Sequence, residues 1–213
     1  MATDSFAAEN VEPTLKGPDL VRSVGFWKLV GEDFATHGKQ LFAPGFHAML
    51  VYRWGTWAMS IRFRPIKFPM LLIYVVFQRF VRNFYGIELE RNVRLGRRVQ
   101  LVHQHGIVIH KYAQIGNDVM IRHSVTFGMA IEWIVGHGPI IGSRVSISPG
   151  VVVAGNIVIG DDVSIGPNCT VTQNVPAGRT LFIPPPRSIP KPEYAQDKDC
   201  LLYTSDAADD LLC

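Results

Sequence analysis

The chain has 213 residues, of which 47% are apolar, and a formal net charge of +3. This length holds one domain or two small ones with an ample core, and so small a charge does not by itself favour nucleic acid as a partner. The N-terminus lacks the basic-then-apolar pattern of an export signal, and three cysteines give no disulfide framework. We therefore expect a cytoplasmic protein.

The first part of the chain is predicted to be a tail followed by helices. Residues 1–24 are polar and punctuated by Pro and Gly, which predicts disorder. Residues 25–86 are predicted to form a small helical region. An amphipathic pattern indicates a helix from Phe26 to Thr36, Pro44 can open a second helix, and Pro69 fits the first turn of a third.

The most apolar stretch of the chain runs from Phe68 to Phe77. It is about half as long as a segment that spans a bilayer, so we predict a helix packed on its own protein. The flanking Lys67, Arg79 and Arg82 leave peripheral contact with a membrane surface as an alternative.

From Val93 to Val175 an aliphatic residue returns every sixth position, a period that neither an α-helix nor an ordinary strand explains. Short strands joined by tight corners explain it, with one aliphatic side chain pointing inward on each side. Residues 87–178 are therefore predicted to form a mainly β domain, a parallel β-helix built of hexapeptide repeats. The first inward series is Leu95, Leu101, Ile109, Ile115, Ile121, Phe127, Ile141, Ile147, Val153, Ile159, Ile165 and Val171. The second, two residues earlier in each unit, is Val93, Val99, Ile107, Ala113, Val119, Val125, Val145, Val151, Ile157, Val163, Cys169 and Val175. A small residue often follows the first series, where a corner would leave no room for a side chain: Gly96, Gly116, Gly128, Gly142, Ala154, Gly160 and Gly166.

The repeat is interrupted twice, and functional residues tend to lie where a regular scaffold is broken. Between Leu101 and Ile109 two residues are added, which creates the bulge His103-Gln104-His105-Gly106. A longer excursion of about ten residues runs from Met129 to Gly138 and is expected to project as a loop.

Five of the seven histidines fall at or near these breaks: His103, His105, His110, His123 and His137. A single histidine would more often be structural, but this grouping favours a catalytic role for at least one of them. The sequence contains no phosphate-binding loop and no nucleophile elbow. No cysteine lies near the breaks, which argues against a thiol nucleophile.

The segment from Tyr85 to about Ala177 resembles the serine O-acetyltransferase family of hexapeptide acyltransferases. The resemblance is carried by YGIELERNVRLGRRVQLVHQHGIVIHKYAQIGNDVMIRHSVTFG and VVVAGNIVIGDDVSIGPNCTVTQNVPAG. It is strongest to the branch found with exopolysaccharide synthesis, such as colanic acid acetyltransferases. The family implies a left-handed helix, a homotrimer, and acetyl-CoA bound as acyl donor between neighbouring subunits, with no metal.

The resemblance also assigns roles to individual residues. The catalytic histidine of the family falls on His103 and its carboxylate partner on Glu88, where many relatives have Asp. His103 would act as the general base on an acceptor hydroxyl, while Glu88 would orient its ring and stabilise the imidazolium. Backbone N–H groups near Gly128 could hold the developing oxyanion. The residues expected to bind acetyl-CoA are Gly128, Met129, Ser148, Pro149, Gly150, Gly166 and Arg187.

Two departures from the family bear on the acceptor. Serine-using relatives have an Asp directly before the catalytic histidine, where this chain has Val102, and their Arg-His pair after the loop falls on His137 and Gly138. Free serine would thereby lose charged partners, which favours a neutral acceptor such as a sugar hydroxyl over serine O-acetylation for cysteine synthesis. The residues expected to contact the acceptor are Val102, His105, His123 and His137.

Two readings from other classes stay open. Zinc hydrolysis, as in carbonic anhydrases built on a β-helix, would use His105, His110 and His123 as ligands. A non-catalytic scaffold would use the β-helix for assembly alone.

The chain ends in a predicted extension, residues 179–199, and in an unusual tail, residues 200–213. In the extension, Ile183 to Arg187 replaces a Gly-x-Pro-Ala-Arg turn of the relatives but leaves Arg187 available to a CoA phosphate. The tail, CLLYTSDAADDLLC, resembles the translation of a sequencing adapter. We expect it to be an artefact and exclude it from the fold.

Overall fold

The computed structural model describes residue 11, residues 14–128 and residues 136–188. Within these ranges, four helices precede fourteen short strands. The helices are α1 Gly17–Val24, α2 Phe26–Thr36, α3 Pro44–Ser60 and α4 Arg64–Tyr85. The strands are β1 Ile87–Leu89, β2 Arg94–Leu95, β3 Gln100–Val102, β4 Ile107–Ile109, β5 Gln114–Ile115, β6 Met120–Arg122, β7 Thr126–Gly128, β8 Ile140–Ile141, β9 Ser146–Ile147, β10 Val152–Ala154, β11 Val158–Ile159, β12 Ser164–Ile165, β13 Thr170–Val171 and β14 Thr180–Leu181.

The strands form three parallel sheets, which are the three faces of a parallel β-helix. Sheet A has the order β1-β4-β7-β10-β13, sheet B the order β11-β8-β5-β2, and sheet C the order β14-β12-β9-β6-β3. The chain passes from A to B to C in each coil and then drops to the next coil. The predicted β-helix is confirmed.

The core of the β-helix consists of the two inward series predicted from the period of six. Every residue of both series is buried, Cys169 among them at 6% exposed. Since apolar burial is worth roughly 25 cal/mol per Å², the continuous aliphatic column is the main stabilising feature of the domain.

The small residues predicted at corners are required at one corner and not at another. At the corner between sheets B and C, a Cβ added at Gly116 would lie 2.6 Å from the carbonyl carbon of Gly142, and Gly96 and Gly142 are equally crowded by the next coil. At Gly128 the nearest atom to an added Cβ is the Thr126 Cγ2, 3.8 Å away. Packing therefore explains the B/C glycines but leaves Gly128 unexplained.

The strand register locates both interruptions. Thr126 lies one regular coil of 18 residues after Val108, its partner in sheet A. Glu88 pairs with Val108, 20 residues later, and Thr126 pairs with Val152, 26 residues later. The two insertions therefore add two and eight residues, and the second is slightly shorter than the ten-residue excursion that was predicted.

The helical region differs from the prediction at two points. The predicted tail is wrong for residues 17–24, which form α1, because Leu20 and Val21 pack against Leu29 of α2 in a small apolar cluster. The third predicted helix begins earlier than expected, since another proline occupies its first turn and Pro69 lies inside α4. The bounds of α2 and the start of α3 at Pro44 are confirmed. Within the described ranges, no helix is long and apolar enough to cross a membrane.

The far end of the β-helix lies slightly beyond the predicted boundary at residue 178, because β14 continues sheet C through the pairing of Ser164 with Thr180. Residues up to Ile183 form one compact unit, and those from Pro184 onward form another. Residues 1–10, 12–13 and 189–213, which include the adapter-like tail, lie outside the described residues.

The first coil of the β-helix is closed by polar side chains from the helical region. The fully buried Arg53 of α3 donates to Asp33 Oδ2 (2.8 Å) and to the Gly96 carbonyl (2.7 Å). The Tyr52 hydroxyl donates to the Val93 carbonyl (2.8 Å). These contacts supply partners to backbone groups that no preceding coil can satisfy.

His37 closes the same coil from the end of α2. The Leu101 N–H donates to its Nε2 (3.1 Å), so the proton is on Nδ1, which donates to the Asp33 carbonyl (2.7 Å). Gly45 lets α3 approach this strand, since a Cβ there would lie 2.1 Å from the Leu101 carbonyl oxygen. Burial lowers the pKa of His37, which keeps the ring neutral and able to accept.

Burial also shifts the neighbouring groups. It raises the pKa of the Asp33 carboxyl, while the guanidinium of Arg53 opposes that shift. It raises the pKa of the Tyr52 hydroxyl to about 12, so this group remains a donor at any physiological pH.

We expect Arg53→Met to lower the free energy of unfolding by about 3–5 kcal/mol, because it leaves the Asp33 carboxylate buried and unpaired. Urea denaturation measures this. The matched control is Arg22→Met, whose ion pair with Asp19 is exposed on both sides and should cost less than about 1 kcal/mol. Equal losses in the two variants would contradict the proposed weight of the buried pair.

The lowered pKa of His37 predicts a pH dependence of stability. The unfolded ring titrates near 6.5 and the folded ring below that value, so the contribution of the neutral ring is complete above about pH 6.5 and is lost as the pH falls through the folded pKa. We expect His37→Gln, whose amide oxygen can still accept from Leu101, to lose less stability than the wild type between about pH 7.5 and pH 5. Unfolding curves that fall in parallel would contradict this.

Candidate active site

The two-residue insertion gives the corner between sheets C and A an unusual backbone. Regular coils have one left-handed residue there, such as Ser124 with φ 58° and Asn168 with φ 59°. The first coil has three, namely His103 (φ 63°), His105 (φ 76°) and Gly106 (φ 72°). Left-handed backbone is uncommon outside glycine and persists at functional sites where the surroundings hold it in place.

Hydrogen bonds to the coils on either side hold this corner. The His105 N–H donates to the Tyr85 carbonyl (2.8 Å), and the Ser124 N–H donates to the His105 carbonyl (3.0 Å). The histidine side chains themselves are exposed. The arrangement presents imidazoles to solvent from a fixed backbone, which suits a group that must meet a substrate.

His103 lies beside His123 of the next coil. Their ring centroids are 5.7 Å apart in an edge-to-face arrangement. The Nδ1 atom of His123 is buried and has no hydrogen-bond partner among the described residues. His105 turns toward the preceding coil, with its Nδ1 3.1 Å from the position of a Cβ at Gly86.

The residues expected to bind acetyl-CoA divide between this corner and another. Ser148, Pro149 and Gly150 lie on the C/A corner two coils below His103, with the Gly150 N–H donating to the His123 carbonyl (3.2 Å). Gly166 follows β12 on the same corner, one coil further. The structure thus brings most of the predicted donor site into line with His103.

Gly128 and two of the histidines lie on the corner between sheets A and B. Gly128 ends β7 and His110 follows β4, while His137 is an exposed residue just before β8. Burial, aided by the nearby charge of Lys111, lowers the pKa of His110. The step from His123 to Gly128 spans up to about 17 Å of extended chain, so the five histidines form two groups rather than one.

Glu88 lies in the middle of β1 on sheet A, one strand above Val108. Its half-exposed carboxylate forms an ion pair with Arg82 (3.4 Å). Among the described residues, the hydrogen bonds include none between Glu88 and His103. The pairing of these two side chains stays a prediction.

Arg122 is a site residue that sequence reasoning missed. It pairs in register with Val102, so it lies one strand, about 4.8 Å, from the residue that precedes His103. Both side chains point outward from sheet C, and no described carboxylate pairs with Arg122. Counting one coil plus the two inserted residues from Val102 would have found it.

The other position expected to recognise an acceptor carboxylate cannot do so. A Cβ at Gly138 would lie 2.8 Å from the carbonyl carbon of Tyr112, so the corner has no room for the side chain that relatives carry there. Met129 lies outside the described residues. Arg187 is exposed and belongs to the unit that begins at Pro184.

In residues 14–128 and 136–188, no group of three or more His, Cys, Asp or Glu side chains is placed to hold a metal ion. His105, His110 and His123, the ligands considered for zinc, are divided between the two corners.

Residues 138–173 match the family described as bacterial transferase hexapeptide (six repeats). The serine acetyltransferase of Helicobacter pylori is 33% identical over 133 residues, which cover 61% of this chain and 74% of that protein. The Escherichia coli serine acetyltransferase is 32% identical over 117 residues, covering 55% of this chain and 40% of that protein.

Solved structures agree with these matches. Serine acetyltransferase isoform 3 of Entamoeba histolytica, in complex with cysteine, superposes with a TM-score of 0.64 at 26% identity, covering 89% of this chain and 68% of that chain. The Brucella abortus serine acetyltransferase in complex with coenzyme A shares the fold, with a TM-score of 0.65 at 22% identity and coverage of 78% and 69%. The chain is therefore an acyltransferase and belongs to the serine acetyltransferase family of hexapeptide-repeat proteins.

Proposed function

We propose that this chain is an acetyl-CoA-dependent O-acetyltransferase that acetylates the hydroxyl of L-serine, with His103 as its general base. The observation that carries the acceptor is Arg122, a guanidinium without a described carboxylate partner beside the histidine corner. It supplies the cationic partner for a substrate carboxylate that Gly138 cannot supply. The serine acetyltransferases of Helicobacter pylori and Escherichia coli support the same acceptor.

In this proposal, His103 takes the proton of the serine hydroxyl as the oxygen attacks the thioester carbonyl carbon of acetyl-CoA. The new C–O bond forms, the C–S bond breaks, and the CoA thiolate takes the proton from the imidazolium. A hydroxyl is far too weak an acid to ionise alone near pH 7, so base assistance is worth about 10²–10⁴-fold. The exposed ring and fixed corner suit this role.

Glu88 would serve as a positioning residue that favours the imidazolium form of His103. Its present ion pair with Arg82 is half-exposed and therefore weak, so little free energy opposes a rearrangement when substrates bind. The carboxylate lies on the first strand after the histidine corner of the same coil, which is the nearest acidic position on sheet A.

Acetyl-CoA would lie along the C/A corner, where Ser148, Pro149 and Gly150 follow His123 in the stack. Gly128 would approach the thioester from a second chain in a homotrimer. Two observations support that assembly. One chain separates Gly128 from His123 by the width of sheet A, and packing within the chain leaves room for a Cβ at Gly128.

A neutral sugar hydroxyl, the acceptor favoured in the sequence analysis, remains the second candidate. Val102 favours it, because an apolar side chain stands where serine-using relatives place a carboxylate for the ammonium group. This candidate leaves Arg122 without a substrate partner.

We expect His103→Ala to lower turnover at least about a hundredfold, since no other base can reach the acceptor hydroxyl from the same corner. Release of the CoA thiol, followed with a thiol reagent, measures turnover. Gln104→Ala, a change of the exposed neighbour in the same bulge, is the matched control and should leave turnover near the wild-type value. An active His103→Ala enzyme of unchanged mass would remove this residue from the mechanism.

Thiol release with L-serine as the sole acceptor tests the acceptor itself. Replacing Arg122 by Leu should raise the KM for serine about tenfold or more while kcat changes less, because a charge-assisted hydrogen bond to the carboxylate is lost. Arg179→Leu, at an exposed arginine near the opposite end of the β-helix, controls for charge. Turnover with saccharide acceptors but none with serine would establish the second candidate instead.

A further inference from the structure

Helix α4 exposes an apolar stripe to solvent. Its buried side contributes Tyr74 and Val81 to the protein, as an amphipathic helix should. On the opposite side a second stripe, here called the α4 apolar face, is exposed, with Val76 at 60% and Phe84 at 67%. The face consists of Ile66, Leu72, Ile73, Val76, Phe77, Phe80 and Phe84.

The spacing shows that these residues form one surface. Steps of three, four and seven residues keep side chains on one side of a helix, and the rings of Phe80 and Phe84 stack with centroids 4.6 Å apart. Over 22 residues, the helix extends for about 33 Å. Large contiguous apolar surfaces of this kind mark an interaction site rather than ordinary exposure.

An apolar groove extends the face toward α2. It has a volume of about 360 Å³ and is lined by Phe26, Trp27, Leu50, Val51, Trp54, Ile73, Tyr74 and Phe77. Trp27 is 79% exposed at its rim. An exposed tryptophan beside apolar side chains is typical of surfaces that enter the boundary between lipid headgroups and acyl chains.

The charges beside the face are all of one sign. The segment Arg64–Tyr85 contains four basic residues and no acidic residue. Arg82 is paired with Glu88 and Lys67 donates to the Met59 carbonyl, but no described carboxylate pairs with Arg64 or Arg79. A partner for this surface must therefore combine an apolar interior with an anionic rim.

We propose that the α4 apolar face docks on the surface of a bilayer that contains anionic phospholipids. The helix lies in the plane of the membrane, the aromatic and aliphatic side chains enter the headgroup boundary, and Arg64 and Arg79 face the lipid phosphates. A second copy of the chain would match the apolar stripe but would place these like charges close together, which disfavours it.

Vesicle flotation of the full chain tests the proposal. We expect binding to vesicles of phosphatidylcholine mixed with phosphatidylglycerol, weaker binding to phosphatidylcholine alone, and a loss of the difference at high salt. Arg79→Glu should weaken binding to the anionic vesicles about fivefold or more, whereas Arg179→Glu, at an exposed arginine outside the helical region, should not change it.

The apolar part is tested by Leu72→Ser combined with Val76→Ser, which should weaken binding about tenfold or more. The control pair, Phe182→Ser with Ile183→Ser, removes exposed apolar side chains at the far end of the β-helix and should have no effect. Circular dichroism verifies the fold of each variant. Absence of flotation with anionic vesicles, equal binding to both vesicle types, or a smaller assembly of the Leu72→Ser/Val76→Ser variant in light scattering would each overturn the proposal.

Discussion

The structure depends on how the first coil of the β-helix is closed. Every later coil satisfies its backbone N–H and C=O groups on the coil before it, but the first has no predecessor. Arg53, Tyr52 and His37 supply those partners, and the Asp33–Arg53 pair fixes α2 against α3 while Arg53 binds the Gly96 carbonyl. The coil they close is also the one that carries His103. The helical region is thus part of what positions the candidate catalytic base, although it lies outside the repeat.

The two insertions differ in what they change. A parallel β-helix can accept extra residues only at its corners, because an extra residue within a strand would turn the inward series outward. Two residues at the first C/A corner add left-handed backbone at His103 and His105, and the next coil returns to one such residue at Ser124. The hydrogen bonds from His105 to Tyr85 and from Ser124 to His105 confine the distortion to one level. A repetitive fold can therefore acquire a site by a local change without loss of its core.

The parts that could be predicted from sequence follow from a single repeated constraint. Both inward series were identified in full because every sixth position meets the same packing condition, and the bulge at His103 was identified because it breaks that condition. The cap was not predicted, since Asp33 and Arg53 are ordinary helical charges until the fold brings them together. Likewise α1 is short and its sequence is polar, and its burial depends on Leu29 of another helix. Arg122 was missed because its role depends on strand register, which becomes informative only once the length of the bulge is known.

The acceptor proposal depends on differential affinity rather than on any single charge. A half-buried arginine loses little by remaining solvated in the empty site, so Arg122 does not require an anion for stability. It nevertheless binds a carboxylate better than a neutral sugar ring, and a substrate is selected by the difference between those two affinities. Val102 acts in the other direction, since it offers nothing to an ammonium group. Charge-assisted hydrogen bonds contribute more than the loss of one partially solvated contact, so the carboxylate dominates the balance and serine is favoured over a saccharide.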